Sequence, residues 1–310
     1  MNMRHVCGIK SRTFLLLCPF LLIYGLLSGC GSEKNRPQPA LPELKDISLI
    51  SDNRYSCTFD SLKHDFIVDL PDNAENAPLV LMLHGYSHTA ESFRTSVQFE
   101  KTANPAGYAV VYVTGAADPE DRSSSTGWNA GAGTSQNRDT EFLKALARYL
   151  QKEYSLDRNR TYAAGFSNGG FMAHRLAAEA GDTFSALVSV AGIMTDSVWE
   201  NRKNQNSVSF FQITGAKDDV VPKNSDGTAK YSKFPAIEDV MAYWTESNGA
   251  VLTEESDISK HAVLKKYENK DKNIQVWDLL VKNGGHEWPK ENFSGFDTNA
   301  LILEFFEAQK

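Results

Sequence analysis

A serine between two glycines in the middle of the chain places the strongest local constraint on its folding. Residues 165–169 read Gly-Phe-Ser-Asn-Gly and separate a short apolar stretch, residues 161–164, from a helical pattern at residues 171–177. A serine in this strand-to-helix spacing occupies a strained turn, and the residues two before and two after it must be small. The sequence therefore predicts a turn that raises the hydroxyl of Ser167 above a sheet, at the N-terminus of a helix.

Short apolar segments alternate with helical patterns, which is typical of a parallel sheet with crossover helices. Uniformly apolar runs suit strands that are covered on both faces, whereas residues 64–70 alternate as a half-exposed strand does. The predicted buried strands are residues 79–83, 109–113, 161–164, 186–190, 208–213 and a last one starting at 274–277. We therefore expect an α/β fold with a doubly wound, mostly parallel sheet flanked by helices.

The remaining segments predict two helices and two irregular regions. An apolar stripe from Phe142 to Leu150 indicates a helix, and a second helix is expected over residues 299–308. A glycine- and serine-rich loop covers residues 115–136. Residues 218–235 contain few core residues and are expected at the surface.

A serine nucleophile needs a base, and the base needs a carboxylate that orients it. In proteins with this kind of turn, the acid and then the histidine follow the serine along the chain. Asp218 and Asp219 both follow the predicted strand at 208–213, and the spacing Gly-x-x-Asp-x-x-Val favours Asp218 over Asp219. His286 lies in a glycine-led loop after the last strand. We predict that Ser167, Asp218 and His286 act together.

His84 and His88 raise the question of a metal site, because histidines four apart can share one face of a helix. Gly85 and the position after a strand argue against a helix, and no carboxylate completes a ligand set. We therefore expect no metal there. The turn at His84-Gly85-Tyr86 instead suits an oxyanion site, formed by the amide of Asn168 and that of Tyr86 or Ser87.

The N-terminal residues predict export and a lipid anchor. Residues 1–29 combine a basic start with an apolar run too short and interrupted to span a membrane, and they read as a signal peptide. The ending Leu27-Ser28-Gly29-Cys30 resembles the bacterial lipobox, in which the cysteine carries the lipid; an ordinary signal peptide is the alternative. Residues 30–45 then predict a flexible tether, and residues 46–310 one catalytic domain.

The net charge argues against one class of function, and the cysteine content argues against disulfide bonds. The formal net charge of the chain is −7, and it becomes more negative once the basic signal is removed. An acidic protein has no electrostatic basis for binding nucleic acid. Cys57 alone would remain after Cys30 is lipidated, so no disulfide within the mature chain is expected.

Several motifs together resemble the secreted polyhydroxybutyrate depolymerase and feruloyl esterase group of the α/β-hydrolase superfamily. They are spread over residues from about 65 to 305. The motifs are residues 156–170 (LDRNRTYAAGFSNGG), Leu83-His84-Gly85, Trp128-Asn129, residues 218–222 (DDVVP) and Gly285-His286-x-Trp288-Pro289. The resemblance implies an α/β-hydrolase fold, no cofactor or metal, and cleavage of feruloyl or acetyl esters on polysaccharide or of aliphatic polyesters. Tyr86, Arg138-Asp139 and Thr214 depart from the group's usual residues, which leaves the substrate open.

Two tryptophans are candidates for the substrate cleft, since a flat indole can cover a sugar or an aromatic ring. They are Trp288, close to His286, and Trp128; Trp199, Trp244 and Trp277 are assigned to the core. The sequence thus favours a lipid-anchored serine esterase for polysaccharide-linked feruloyl or acetyl esters. A polyester depolymerase, a serine peptidase and a non-catalytic surface binding lipoprotein are the alternatives.

Overall fold

A computed structural model of the protein describes residues 42–117, 124–133, 135–202, 207–221, 223 and 234–309. The predicted signal peptide, Cys30 and most of the predicted tether lie outside these residues. So does most of the segment over 218–235 that was expected at the surface. Within the described part of the chain, no helix is long and apolar enough to cross a bilayer.

The described residues form eleven strands, eight α-helices and one 3-10 helix (Lys270–Lys272). The strands are β1 (Lys45–Ser51), β2 (Arg54–Phe59), β3 (Leu62–Asp69), β4 (Leu79–Leu83), β5 (Ala109–Val113), β6 (Thr161–Phe166), β7 (Ala186–Val190), β8 (Ser209–Gly215), β9 (Val251–Ser259), β10 (Ala262–Asn269) and β11 (Ile274–Val281). The helices are α1 (Ala90–Val97), α2 (Glu100–Ala103), α3 (Asp139–Glu153), α4 (Asn168–Glu179), α5 (Asp196–Asn201), α6 (Ile237–Asn248), α7 (Glu291–Ser294) and α8 (Thr298–Glu307).

All eleven strands belong to one sheet in the order β1-β2-β3-β5-β4-β6-β7-β8-β11-β10-β9. The six central strands, from β5 to β11 in this order, run parallel to one another. The strands beyond them on either side are joined by antiparallel pairing. Because parallel strands end at the same edge of a sheet, the loops that follow β4, β6, β8 and β11 meet there.

Alternating residues of the central strands pack into two separate hydrophobic cores. In β4, Leu79, Leu81 and Leu83 join one core with residues of α3, α4 and α6, whereas Val80 and Met82 join the other core with residues of α1 and α8. The helices thus cover both faces of the sheet, and this explains why the central strands are uniformly apolar. The predicted doubly wound arrangement is confirmed.

The predicted buried strands agree with β4 to β8 and β11, and the closing helix agrees with α8. The outer strands β1, β2, β9 and β10 were missed. In β9 most residues are exposed, and the strand carries Glu254, Glu255 and Asp257. Its place is fixed by backbone pairing with β10 rather than by an apolar pattern, so the sequence offers no periodic signal for it.

Two of the three tryptophans assigned to the core are buried, namely Trp244 and Trp277. Trp199 is half-buried and packs against the edge of the first core. Its ring is partly exposed, and the guanidinium carbon of Arg202 lies 3.4 Å from the ring centroid. A cation over an indole face is a favourable contact at a surface, so Arg202 stabilises the part of this ring that the core does not cover.

Burial keeps three histidines uncharged over a wide pH range. Burial lowers the pKa of His64 and of His84 to about 4, and that of His174 to about 3. At His64 the carbonyl of Thr114 and the charge of Asp65 oppose the effect of burial without cancelling it. The His64 ring stacks on Phe142 with 3.7 Å between centroids.

Acid should therefore destabilise this protein partly through His64. The unfolded chain binds a proton there below about pH 6.5 and the folded chain only near pH 4, so unfolding takes up a proton between these values. The free energy of unfolding should fall with decreasing pH in this window, by up to about 1.4 kcal/mol per pH unit for each such histidine. In urea titrations between pH 6.5 and 4, His64→Phe should show a shallower pH slope than the wild type, whatever its absolute stability. Equal slopes would contradict the assignment.

Candidate active site

The turn between β6 and α4 holds Ser167 in the backbone conformation that the glycine spacing predicts. Ser167 has φ 53° and ψ −116°, a backbone conformation that residues other than glycine rarely adopt. Its amide donates to the carbonyl of Val190 at 2.9 Å, and its own carbonyl accepts from Phe171 at 2.9 Å. Ser167 is therefore the single residue between the end of β6 and the start of α4.

The two glycines of the turn are required by close backbone contacts. A Cβ atom on Gly165 would lie 2.0 Å from the carbonyl oxygen of Gly169, and one on Gly169 would lie 2.1 Å from the carbonyl oxygen of Leu83. Both obstacles are backbone atoms, which cannot turn away as a side chain can. The N-terminus of α4 is thereby packed directly on the ends of β6 and β4.

Asp218, not Asp219, faces the site. It lies in the loop after β8, where one carboxylate oxygen accepts hydrogen bonds from the amides of Val220 and Val221, at 2.9 and 2.7 Å. Its side chain is 1% exposed, whereas Asp219 is exposed. The two amides fix the carboxylate, so its other oxygen is held in one direction.

His286 lies between the Asp218 carboxylate and the Ser167 hydroxyl and bonds to both. Its Nδ1 lies 2.8 Å from Oδ2 of Asp218, and its Nε2 lies 2.9 Å from Oγ of Ser167. A carboxylate only accepts hydrogen bonds, so Nδ1 carries the proton and Nε2 can accept the hydroxyl hydrogen of Ser167. The structure thus brings the three predicted residues into one hydrogen-bonded chain.

The loops that carry the acid and the base are bonded to each other. The amide of Lys217 donates to the carbonyl of Gly284 at 2.8 Å. A Cβ atom on Gly215 would lie 2.4 Å from the carbonyl oxygen of Gly285, so the end of β8 and the histidine loop touch through their backbones. The distance between Asp218 and His286 is therefore set by main-chain packing rather than by flexible side chains.

The turn after β4 is held by His84, which is fully buried. Its Nδ1 donates to the carbonyl of Gly85 at 2.6 Å, and its Nε2 accepts from the amide of Gly115 at 3.0 Å. Both ring nitrogens are engaged within the fold, and His88 is exposed. Among the described residues, no three or more histidine, cysteine, aspartate or glutamate side chains are grouped to hold a metal.

One of the two alternatives for the second oxyanion donor is disfavoured by the structure. The amide of Ser87 donates to the carbonyl of Thr126 at 2.8 Å, so it is directed away from a substrate. Tyr86 precedes Ser87 in the turn. Its side chain is half exposed and lines a cavity together with Asn168. Tyr86 and Asn168 remain the predicted donors.

Asn168 has a second function that sequence reasoning missed. Its side-chain oxygen accepts from the amide of Trp128 at 2.7 Å, and its side-chain nitrogen donates to the carbonyl of Trp128 at 3.1 Å. The indole N–H of Trp128 in turn donates to the carbonyl of His84 at 2.9 Å. The residue after the serine therefore fixes the loop that contains Trp128 against the predicted oxyanion turn.

Asp139 fixes the next residue of the same loop. Its carboxylate accepts from the amide of Asn129 at 2.6 Å, and Arg175 donates to the carbonyl of Asn129 at 2.6 Å. Burial raises the pKa of Asp139 to about 6, and the Asn129 hydrogen bond opposes this change. The only sequence signal for this contact is the position of Asp139, three residues before the apolar stripe of a predicted helix begins at Phe142.

Two cavities lie next to the serine turn, one lined by Asn168 and the other by Phe166, the residues on either side of Ser167. The first, which we call the amide-side cavity, has a volume of about 230 Å³ and is lined by Tyr86, Trp128 and Asn168 among others. The second, the histidine-side cavity, measures about 680 Å³ and is lined by Phe166 and Trp288 among others. Both predicted tryptophans thus border a cavity, although Trp128 is almost completely buried and Trp288 is partly exposed.

Residues 62–292 match the family model Esterase, described as "Putative esterase". The chain belongs to this esterase family. It is 30% identical to "Putative esterase NocK" of Nocardia uniformis subsp. tsuyamanensis, over 72% of this chain and 69% of that one. It is 24% identical to "Feruloyl esterase B" of Piromyces equi, over 68% of this chain but only 39% of the relative. The predicted resemblance is confirmed at the level of the family.

Solved structures confirm the fold of this esterase. The acetyl xylan esterase from Aspergillus awamori superimposes with a TM-score of 0.58, covering 79% of this chain and 94% of that one. The identity is 13%, so the likeness concerns the α/β-hydrolase fold alone. With the family, it establishes a carboxylic ester hydrolase of this fold.

Asn168→Ala should lower the rate of this esterase while leaving its main-chain amide in place. Losing both hydrogen bonds to Trp128 frees the loop beside the predicted oxyanion site, and we expect kcat/KM to fall about tenfold, which corresponds to about 1.4 kcal/mol. Asn168→Asp is the matched variant, because it keeps the acceptor for the Trp128 amide but sets a carboxylate oxygen against the Trp128 carbonyl. Wild-type kinetics with p-nitrophenyl acetate in both variants would show that the hydrogen bonds between Asn168 and Trp128 do not affect catalysis.

Proposed function

We propose that Ser167 is the nucleophile of an ester hydrolase that works through an acyl-enzyme, with His286 as the base and Asp218 as the residue that orients it. The observation that carries the proposal is the unbroken hydrogen-bonded chain from Asp218 through His286 to Ser167. Such a chain activates a serine hydroxyl, which is a weak nucleophile by itself.

In the proposed reaction, Nε2 of His286 takes the proton of Ser167 as Oγ attacks the ester carbonyl. The amides of Asn168 and Tyr86 then stabilise the negative charge on the carbonyl oxygen, helped by the N-terminus of α4. The protonated imidazole, oriented by Asp218, gives its proton to the departing alcohol. Water, activated by His286, next releases the acid from Ser167.

We propose feruloyl or acetyl esters of polysaccharide as the substrates. The similarity to a relative named feruloyl esterase supports this class, and so does the aromatic lining of the histidine-side cavity. Aliphatic polyesters are the alternative. An aromatic wall suits a flat sugar or feruloyl ring better than a flexible aliphatic chain.

Ser167→Ala should abolish turnover of p-nitrophenyl acetate. Loss of the nucleophile in such a triad typically costs about a millionfold in kcat, so residual activity should be at background. Substrate class is tested with the wild type on methyl ferulate, acetylated xylan oligosaccharides and hydroxybutyrate oligomers. A variant as active as the wild type would remove Ser167 from the mechanism, and preference for the hydroxybutyrate oligomers would favour the polyester alternative.

We further propose that the protein is exported and anchored to a bacterial membrane by a lipid on Cys30. The support is the basic and apolar N-terminal segment followed by Leu27-Ser28-Gly29-Cys30. The anchored enzyme would act at the periplasmic or the cell-surface face of that membrane, with the tether giving the domain reach to its substrate.

Cys30→Ser should move the protein from the membrane fraction to the soluble fraction. Serine lacks the thiol to which the lipid is attached, and the rest of the signal is unchanged. Fractionation of cells that express the wild type or the variant, followed by immunoblotting, measures the distribution. Equal retention of both in the membrane fraction would rule out an anchor at Cys30.

A further inference from the structure

The two cavities next to the serine turn differ in size and in lining, and they lie near different parts of the site. The histidine-side cavity is about three times as large and continues from the His286 loop through Glu287 and Trp288 to Phe293. Its wall reaches the imidazole through Phe166, whose ring centroid lies 5.1 Å from that of His286. The amide-side cavity borders the predicted oxyanion donors instead.

The chemistry of ester cleavage gives the two halves of a substrate different positions. The departing alcohol oxygen must lie within hydrogen-bond distance of Nε2 of His286, because it receives its proton from there. The carbonyl oxygen must point to the amides of Tyr86 and Asn168. The alcohol half is thus directed toward the histidine loop. The acyl chain is the remaining substituent of the carbonyl carbon, and the amide-side cavity offers a second space beside the serine turn to receive it.

We propose that the histidine-side cavity binds the sugar that forms the alcohol half of the ester, and that the acyl group enters the amide-side cavity. This assignment rests on the proposed function and adds to it the orientation of the substrate. It makes Phe293 and Trp288 residues that determine specificity for the alcohol.

The lining of the histidine-side cavity suits a sugar. Aromatic faces of Trp288 and Phe293, the latter 50% exposed, alternate with the polar side chains of Glu287, Lys290 and Asn292. Flat rings cover the apolar face of a sugar, while polar groups reach its hydroxyls. The volume of about 680 Å³ also lies within the range of roughly 300–1,000 Å³ that is typical of ligand sites.

The wall of this cavity is fixed before any ligand binds. The indole N–H of Trp288 donates to the side-chain oxygen of Asn299 at 3.1 Å, and the Asn299 nitrogen donates to the carbonyl of Val97 at 2.8 Å. The Trp288 ring also meets Phe93 edge to face, with 5.7 Å between centroids. A preorganised ring loses little freedom when it binds a ligand, which favours affinity.

The amide-side cavity is too small for a chain of sugars. Its volume of about 230 Å³ lies below the usual range for ligand sites. Ala116 and Ala132 contribute to its lining, and Trp128 closes it from below with an almost buried ring. It offers room for one acyl group, and a larger side chain at residue 132 would reduce that room.

The test compares esters that share an acyl group and differ in the alcohol. For Phe293→Ala we expect the ratio of kcat/KM on a feruloylated arabinoxylan trisaccharide to kcat/KM on methyl ferulate to fall about tenfold, mainly through KM on the sugar ester. Leu252→Ala is the matched control, because Leu252 is 51% exposed but lies on the edge strand β9, and its ratio should equal that of the wild type.

A second variant tests the other cavity. Ala132→Leu should lower kcat/KM on methyl ferulate about tenfold relative to methyl acetate, because the feruloyl group is the larger acyl group. The opposite pattern would overturn the assignment: Phe293→Ala sensitive to the acyl group, and Ala132→Leu sensitive to the sugar. Unchanged ratios in both variants would also overturn it. Either result would leave the proposed function intact, since that fails if Ser167→Ala is as active as the wild type or if the wild type is inactive on all these esters.

Discussion

The close backbone contact beneath Ser167 is the constraint on which the site depends. Gly165, Gly169 and the end of β4 approach one another so closely that no Cβ atom fits at either glycine. This contact holds Ser167 at a positive φ and sets the first turn of α4 directly behind its hydroxyl. A strained residue persists only where its surroundings determine it completely, and here the surroundings are backbone atoms of three separate elements.

Parallel pairing in the sheet then delivers the other two members of the triad. Gly215 at the end of β8 pairs with Val281 at the end of β11, so the loops that follow them start side by side. Asp218 lies three residues beyond the first of these positions and His286 five beyond the second. The hydrogen bond from Lys217 to Gly284 holds the loops together, and the imidazole is thereby directed to the serine.

A third layer of interactions connects the predicted oxyanion site with the cavity that borders it. The side chain of Asn168 holds Trp128, and the indole of Trp128 holds the carbonyl of His84. The neutral form of His84 suits this role, because its two nitrogens donate to Gly85 and accept from Gly115. In this esterase the residue after Ser167 thus links the two turns that carry the predicted oxyanion donors, and the wall of the smaller cavity depends on the same side chain.

The sequence by itself determined the central strands, the turn at Ser167 and the choice of Asp218 and His286 as its partners. These features are encoded over a few neighbouring residues, by apolar runs and by glycine spacing, so they can be recognised locally. Only the tertiary structure decided that Ser87 bonds to Thr126, that the side chain of Asn168 bonds to Trp128, and that Lys217 bonds to Gly284. Each of these depends on a partner that folding, and not the chain order, brings close, and no local pattern records such a partner.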